Sequence, residues 1–216
     1  MAYIASLTAI LLSSSLLGKG VNAFAYVSNP PSRQASCAQQ TVSAELCDGA
    51  EWEPQSVTGP KGAPFYRDVE DCVCNGGTER RFDELNTPGN STWPRQQVSF
   101  GEDVEVRWKV FTPLAIKGYT YYLTTRDFDQ SYRERLTYRD FNETPIARFP
   151  GHPPRPDGIV HTLPAHVWQP YEGYGILLAV QDTVYTPNAF YNCVDLDFSN
   201  MQTDPTRLLP NKADLK

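Results

Sequence analysis

Three histidines, His152, His161 and His166, two spaced carboxylates, Asp195 and Asp197, and five cysteines are the side chains of this sequence best equipped for chemistry. Imidazole is the commonest metal ligand, but a metal centre needs ligands that converge rather than a count of them. His161 and His166 are five positions apart, which puts them on opposite faces of an extended segment, and His152 lies in a proline-rich stretch from Gly151 to Pro156. They read as ordinary strand and loop histidines. Asp195 and Asp197 share one face of a strand, as the paired carboxylates of a glycosidase would, yet such alternation is ordinarily a solvated face. The sequence has no nucleophile elbow, no His-Glu-x-x-His and no phosphate-cradling glycine loop.

The elements that would position these groups are strands. Val104, Val106, Trp108 and Val110 alternate with Glu105, Arg107 and Lys109, the period of a half-buried strand. Residues 119–125 are rich in aromatic and β-branched side chains, 176–180 form a continuous apolar run, and 190–198 alternate again. With 18 prolines and 14 glycines spread along the chain, no stretch holds a helical apolar period for three turns. The pattern predicts an all-β sandwich. From Pro30 to about Pro94 the chain reads as loop, a length that inside one domain is functional or stapled, and the cysteines supply staples.

The chain opens with an apolar run, Ile4 to Leu17, shorter than the roughly 20 residues that span a bilayer, and exits through Val21-Asn22-Ala23. Residues 1–23 read as a signal peptide, with a second cut available after Ala25, so the secreted, extracellular form starts at Phe24 or Tyr26. One domain is expected over 24–200, followed by a polar, disordered tail over 201–216. The net charge of −6 is a poor match for nucleic acid or an anionic membrane, and a monomer is expected. Export makes disulfides the default for the cysteines, and Asn90 and Asn142 head glycosylation sequons.

The stretch Phe24-Ala25-Tyr26-Val27 through Pro31-Ser32-Arg33 to Cys37, and above all Cys47-Asp48-Gly49-Ala50-Glu51-Trp52-Glu53-Pro54-Gln55-Ser56-Val57, resembles the chitin-binding lytic polysaccharide monooxygenases of auxiliary activity family 10. The Trp108-Lys109 strand, Ile176 to Asp182, and Asn188-Ala189-Phe190-Tyr191 leading into Val194-Asp195-Leu196 agree with that family in order and spacing. The resemblance implies an immunoglobulin-like or fibronectin-III-like sandwich with a long loop-rich insertion after the first strand. It implies a Cys37–Cys47 bridge and a second bridge from Cys193 to Cys74, with Cys72 as the competing partner.

In such proteins copper is held by an N-terminal histidine and by a second histidine six residues after the strand tryptophan. Here those positions carry Phe24 and Leu114, while Phe190 matches the aromatic flanking the metal. Neither side chain offers a nitrogen, and the one amine left at the N-terminus cannot hold the metal, so no cofactor and no catalytic residue is expected. The family's binding face corresponds to Trp52, Glu53, Pro54 and Gln55: indole stacks on a pyranose ring while Glu53 and Gln55 bond hydroxyl or acetamido groups. The expected function is binding of insoluble polysaccharide, chitin first, without oxidation. Two alternatives stay open: a copper monooxygenase with an atypical site, and a cell-wall or interaction protein with a protein partner.

Overall fold

The computed structural model describes residues 24–62, 73–77, 81–89, 92–99, 101–169 and 171–199. The leader, the tail, Cys72 and Asn90 lie outside these residues. Among the described residues nine strands form two sheets. In the three-stranded sheet, β4 (Val104–Thr112) lies between β1 (Phe24–Asn29) and β7 (Ile159–Leu163), antiparallel to both. The larger sheet runs β2 (Thr58–Pro60), β9 (Asn188–Ser199), β8 (Gly173–Thr183), β5 (Ile116–Leu123) and β6 (Ala147–His152), and β3 (Gln96–Ser99) joins β9 in parallel. No helix among the described residues is long and apolar enough to cross a membrane.

The alternation along β4 sends Val106 and Trp108 inward to meet Tyr119, Tyr121, Leu177, Val194 and Leu196 from the facing sheet. This is the core between the sheets. The apolar run of β8 has no polar face because the larger sheet is covered on both sides: Leu177 and Ala179 enter the core between the sheets, while Ile176, Leu178 and Val180 face a second cluster under the loop region.

That second cluster is the layer built by the insertion after β1. It contains a short helix, α1 (Arg33–Ala38), capped by Ser32, whose hydroxyl accepts from the Ala35 amide. Both expected bridges form, Cys37–Cys47 and Cys74–Cys193, with Cα separations of 5.6 and 5.3 Å. Cys193 lies on the outer face of β9, as its alternation with Val194 requires, and fastens the insertion to the sheet. The insertion approaches the sheet edge so closely that a Cβ on Gly59 of β2 would overlap the Gly76 carbonyl. Gly76 itself has φ +76°, a conformation glycine adopts without strain.

Two sequence expectations need correction. Asp195 is not on a solvated face: the insertion covers β9 and leaves Asp195 only 2% exposed against Arg33. His152 belongs to the end of β6 rather than to a loop, since its backbone pairs with Ile116.

Candidate functional site

Trp52 stands out from the turn between Cys47 and the 3-10 turn Pro54–Ser56, 82% exposed. The burial that would make it an anchor of the loop region is absent. Its neighbours divide the remaining work. Glu53 is half-buried and ion-paired to Arg81, whose guanidinium lies 4.5 Å over the Phe82 ring. Pro54 is buried at the first position of the 3-10 turn, where its fixed φ sets the backbone, and Gln55 is partly exposed. Of the four residues expected on the binding face, Trp52, Glu53 and Gln55 reach the surface and Pro54 supports them from beneath.

Arg81 was not legible as part of this face, because no spacing links it to Glu53. Tyr185 was missed as well. It lies in the turn between β8 and β9, also 82% exposed. The Val184 amide of that turn donates to the Ala115 carbonyl, which places the turn beside Leu114. An aromatic beside Pro187 between two strands was the available signal.

At the end of the sandwich where the two metal-ligand positions fall, Phe24 opens β1 with its backbone against Thr112, and Leu114 follows β4. Leu114 packs on the core edge and, with Ala25, Val110, Thr112 and Ile116, lines a small cavity whose polar members are His152, Arg155 and Gln181. Phe190 is buried in the core between the sheets.

The donor set does not fit copper. Leucine has no lone pair, and the imidazole of His152 is already used at both nitrogens. Its Nδ1 donates to the Pro153 carbonyl at 2.7 Å, since a carbonyl only accepts, so Nε2 accepts from the Tyr119 hydroxyl at 2.9 Å. Gln181 donates to the same hydroxyl at 2.9 Å, and burial pushes the Tyr119 phenol up to about 12.

A second chain of hydrogen bonds crosses the core. Trp108 Nε1 donates to the Tyr121 hydroxyl at 2.8 Å, and that hydroxyl shares a hydrogen bond of 2.6 Å with His161 Nδ1. The His161 ring stacks on Phe149 at 4.1 Å. Burial lowers its pKa to about 4, with the neighbouring His152 adding to the effect. His166 sits in a short 3-10 turn after β7, apart from the other two. Elsewhere, the Asn142 amide is held by the backbone and by Tyr171, its Nδ2 donating to the Leu123 and Thr124 carbonyls and to the Tyr171 hydroxyl.

A family profile described as lytic polysaccharide mono-oxygenase, cellulose-degrading, matches residues 25–196, nearly all of the two sheets and the insertion. The chain belongs to this family. Among curated lytic polysaccharide mono-oxygenase relatives, the AA10 family lytic polysaccharide monooxygenase C of Mycosarcoma maydis is 31% identical over 86% of this chain and 55% of its own length. The lytic chitin monooxygenase of Streptomyces ambofaciens is 30% identical over 87% of this chain and 88% of its own length. The GlcNAc-binding protein A of Shewanella oneidensis is 29% identical over 89% of this chain and 39% of its own length. The chain thus spans about half or less of the first-ranking curated relatives. A solved structure of an AA10 lytic polysaccharide monooxygenase from Streptomyces lividans superposes with a TM-score of 0.70 at 32% identity, covering 81% of this chain and 99% of that one. The sandwich with its covering insertion is therefore the family's fold.

Proposed function

We propose that this protein is a secreted polysaccharide-binding protein on a lytic polysaccharide monooxygenase scaffold, with chitin as its ligand and without copper-dependent oxidation. The observation that carries the proposal is Trp52. A large aromatic ring 82% exposed, next to a paired Glu53–Arg81 and the Gln55 amide, offers a stacking surface with hydrogen-bonding groups at its edge. Desolvating an apolar ring against a pyranose face favours binding without any metal, so the platform works on its own.

The vacated oxidative centre supports the same reading: Leu114 is aliphatic and His152 is hydrogen-bonded at both nitrogens. The GlcNAc-binding names of several relatives and the lytic chitin monooxygenase favour chitin among the polysaccharides.

The test is co-sedimentation of the mature protein with insoluble chitin and with cellulose. Retention on chitin, lost on Trp52→Ala, is the expected result. A mature protein that stays in the supernatant with both solids overturns the proposal.

A further inference from the structure

At the foot of Trp52 lies a cleft of about 290 Å³, just under the 300–1,000 Å³ usual for small-ligand pockets. One side is apolar, made by Val42, Ala44 and the Cys37–Cys47 disulfide. The opposite contribution comes from Glu51, a carboxylate with no ion-pair partner among the described residues. One of its oxygens is closed off from solvent without a hydrogen bond. The two acidic residues flanking Trp52 thus differ: Glu53 is neutralised by Arg81, while Glu51 keeps an unmet capacity to accept.

The β-1,4-glucans and their acetamido counterparts present similar ring faces to an indole, so stacking on Trp52 tells them apart poorly. The 2-acetamido group does distinguish them. It carries a methyl that prefers an apolar wall and an N–H that needs an acceptor. We infer that the Val42–Ala44–Glu51 cleft is a subsite for the N-acetyl group of a β-linked N-acetylhexosamine whose ring is stacked on Trp52. The methyl lies against Val42, Ala44 and the disulfide, and the amide N–H donates to the Glu51 carboxylate. A hydrogen bond to an ionised acceptor in a partly closed site is stronger than a neutral one, and an apolar cleft left unfilled by a glucosyl unit gains nothing. This inference rests on the polysaccharide-binding reading and assigns to that face its preference for the acetylated polymer.

The experiment is calorimetric titration of the mature protein with chitohexaose and with cellohexaose, on wild type and on Glu51→Ala, Ala44→Phe and Trp52→Ala. Ala44 is exposed, so a phenyl ring placed there fills the cleft without entering the core. Wild type is expected to favour chitohexaose by roughly tenfold or more, the scale of one hydrogen bond to a charged group. Glu51→Ala and Ala44→Phe are expected to bring the two ligands level, whereas Trp52→Ala weakens both. Equal affinity of wild type for the two hexamers, or a preference that survives Ala44→Phe, overturns the subsite while leaving the platform in place. Absence of binding to either hexamer, together with no retention on solid chitin, overturns the platform and the subsite together.

Discussion

Arg33 on α1 and Asp195 on β9 face each other through two bonds of 2.8 Å, Nε to Oδ2 and Nη2 to Oδ1, with both side chains almost wholly buried. Arg33 also donates to the Leu85 and Thr87 carbonyls and lies over the Trp93 ring, while the Tyr174 hydroxyl donates to Asp195 at 2.5 Å. One guanidinium thus ties the helix, the insertion and the last strand together. Removing one member of such a pair leaves an uncompensated buried charge, at a cost of about 3–5 kcal/mol. Asp195→Asn is expected to lower stability by that amount in urea unfolding, with the midpoint shifted and the slope unchanged. A loss under about 1 kcal/mol contradicts this role. Asp197, half-buried and with Gln97 as the side-chain partner of its carboxylate among the described residues, is expected to tolerate Asn within about 0.5 kcal/mol.

His161 gives the stability a defined pH dependence. Its folded-state pKa, near 4, lies below the 6.5 of a free imidazole, so the unfolded chain takes up a proton that the native core resists. Its neutral form contributes nothing adverse above about pH 6.5, and stability falls as the pH drops from there towards 4. Thermal unfolding of wild type is expected to show this decline. His161→Gln, which keeps an acceptor for the Tyr121 hydroxyl, is expected to flatten it. An identical slope in the variant assigns the decline to other groups.

Much of the fold was legible because strand periodicity is local. The alternation of β4 and the unbroken apolar run of β8 announce one covered face and two covered faces respectively. Asp195 shows where that reading stops. Alternation gives the face a residue shares but not what covers that face, and its partner Arg33 is 162 residues away. The two disulfides were legible only through the family resemblance, which left Cys72 and Cys74 to compete for Cys193; the bridge forms from Cys74. Of the candidate site, Trp52 was legible through the family resemblance, as the aromatic before Glu53-Pro54-Gln55, whereas its cleft was not. Val42, Ala44 and Glu51 meet around the Cys37–Cys47 bridge, a convergence that no local spacing announces.

Copper should leave this protein unchanged. A metal present at a thousandfold its dissociation constant stabilises by about 4 kcal/mol, a rise of roughly 8–16 °C in Tm for a domain of this size. With Leu114 at one ligand position and both His152 nitrogens bonded, Cu(II) is expected to shift the Tm of the mature protein by less than about 2 °C. Dialysis against a chelator is expected to leave retention on chitin unaltered. A stoichiometric titration endpoint with a spin-resonance spectrum of nitrogen ligation would restore the oxidative reading.

Asn142 heads a glycosylation sequon, yet its Nδ2 is the atom the fold uses, donating at 3.3 Å to Leu123, 3.2 Å to Thr124 and 2.8 Å to Tyr171. Glycan transfer would replace a hydrogen on that nitrogen and push a sugar between the Thr124–Phe141 bridge and Tyr171. Protein secreted from a eukaryotic host is therefore expected to carry Asn142 unmodified in peptide mass spectrometry. Asn142→Ala is expected to destabilise by about 1–3 kcal/mol, because the Thr124 carbonyl and the Tyr171 hydroxyl lose this donor in a partly buried site, while Leu123 keeps the backbone N–H of residue 142. A folded, binding-competent species with a glycan on Asn142 would show that these bonds are dispensable.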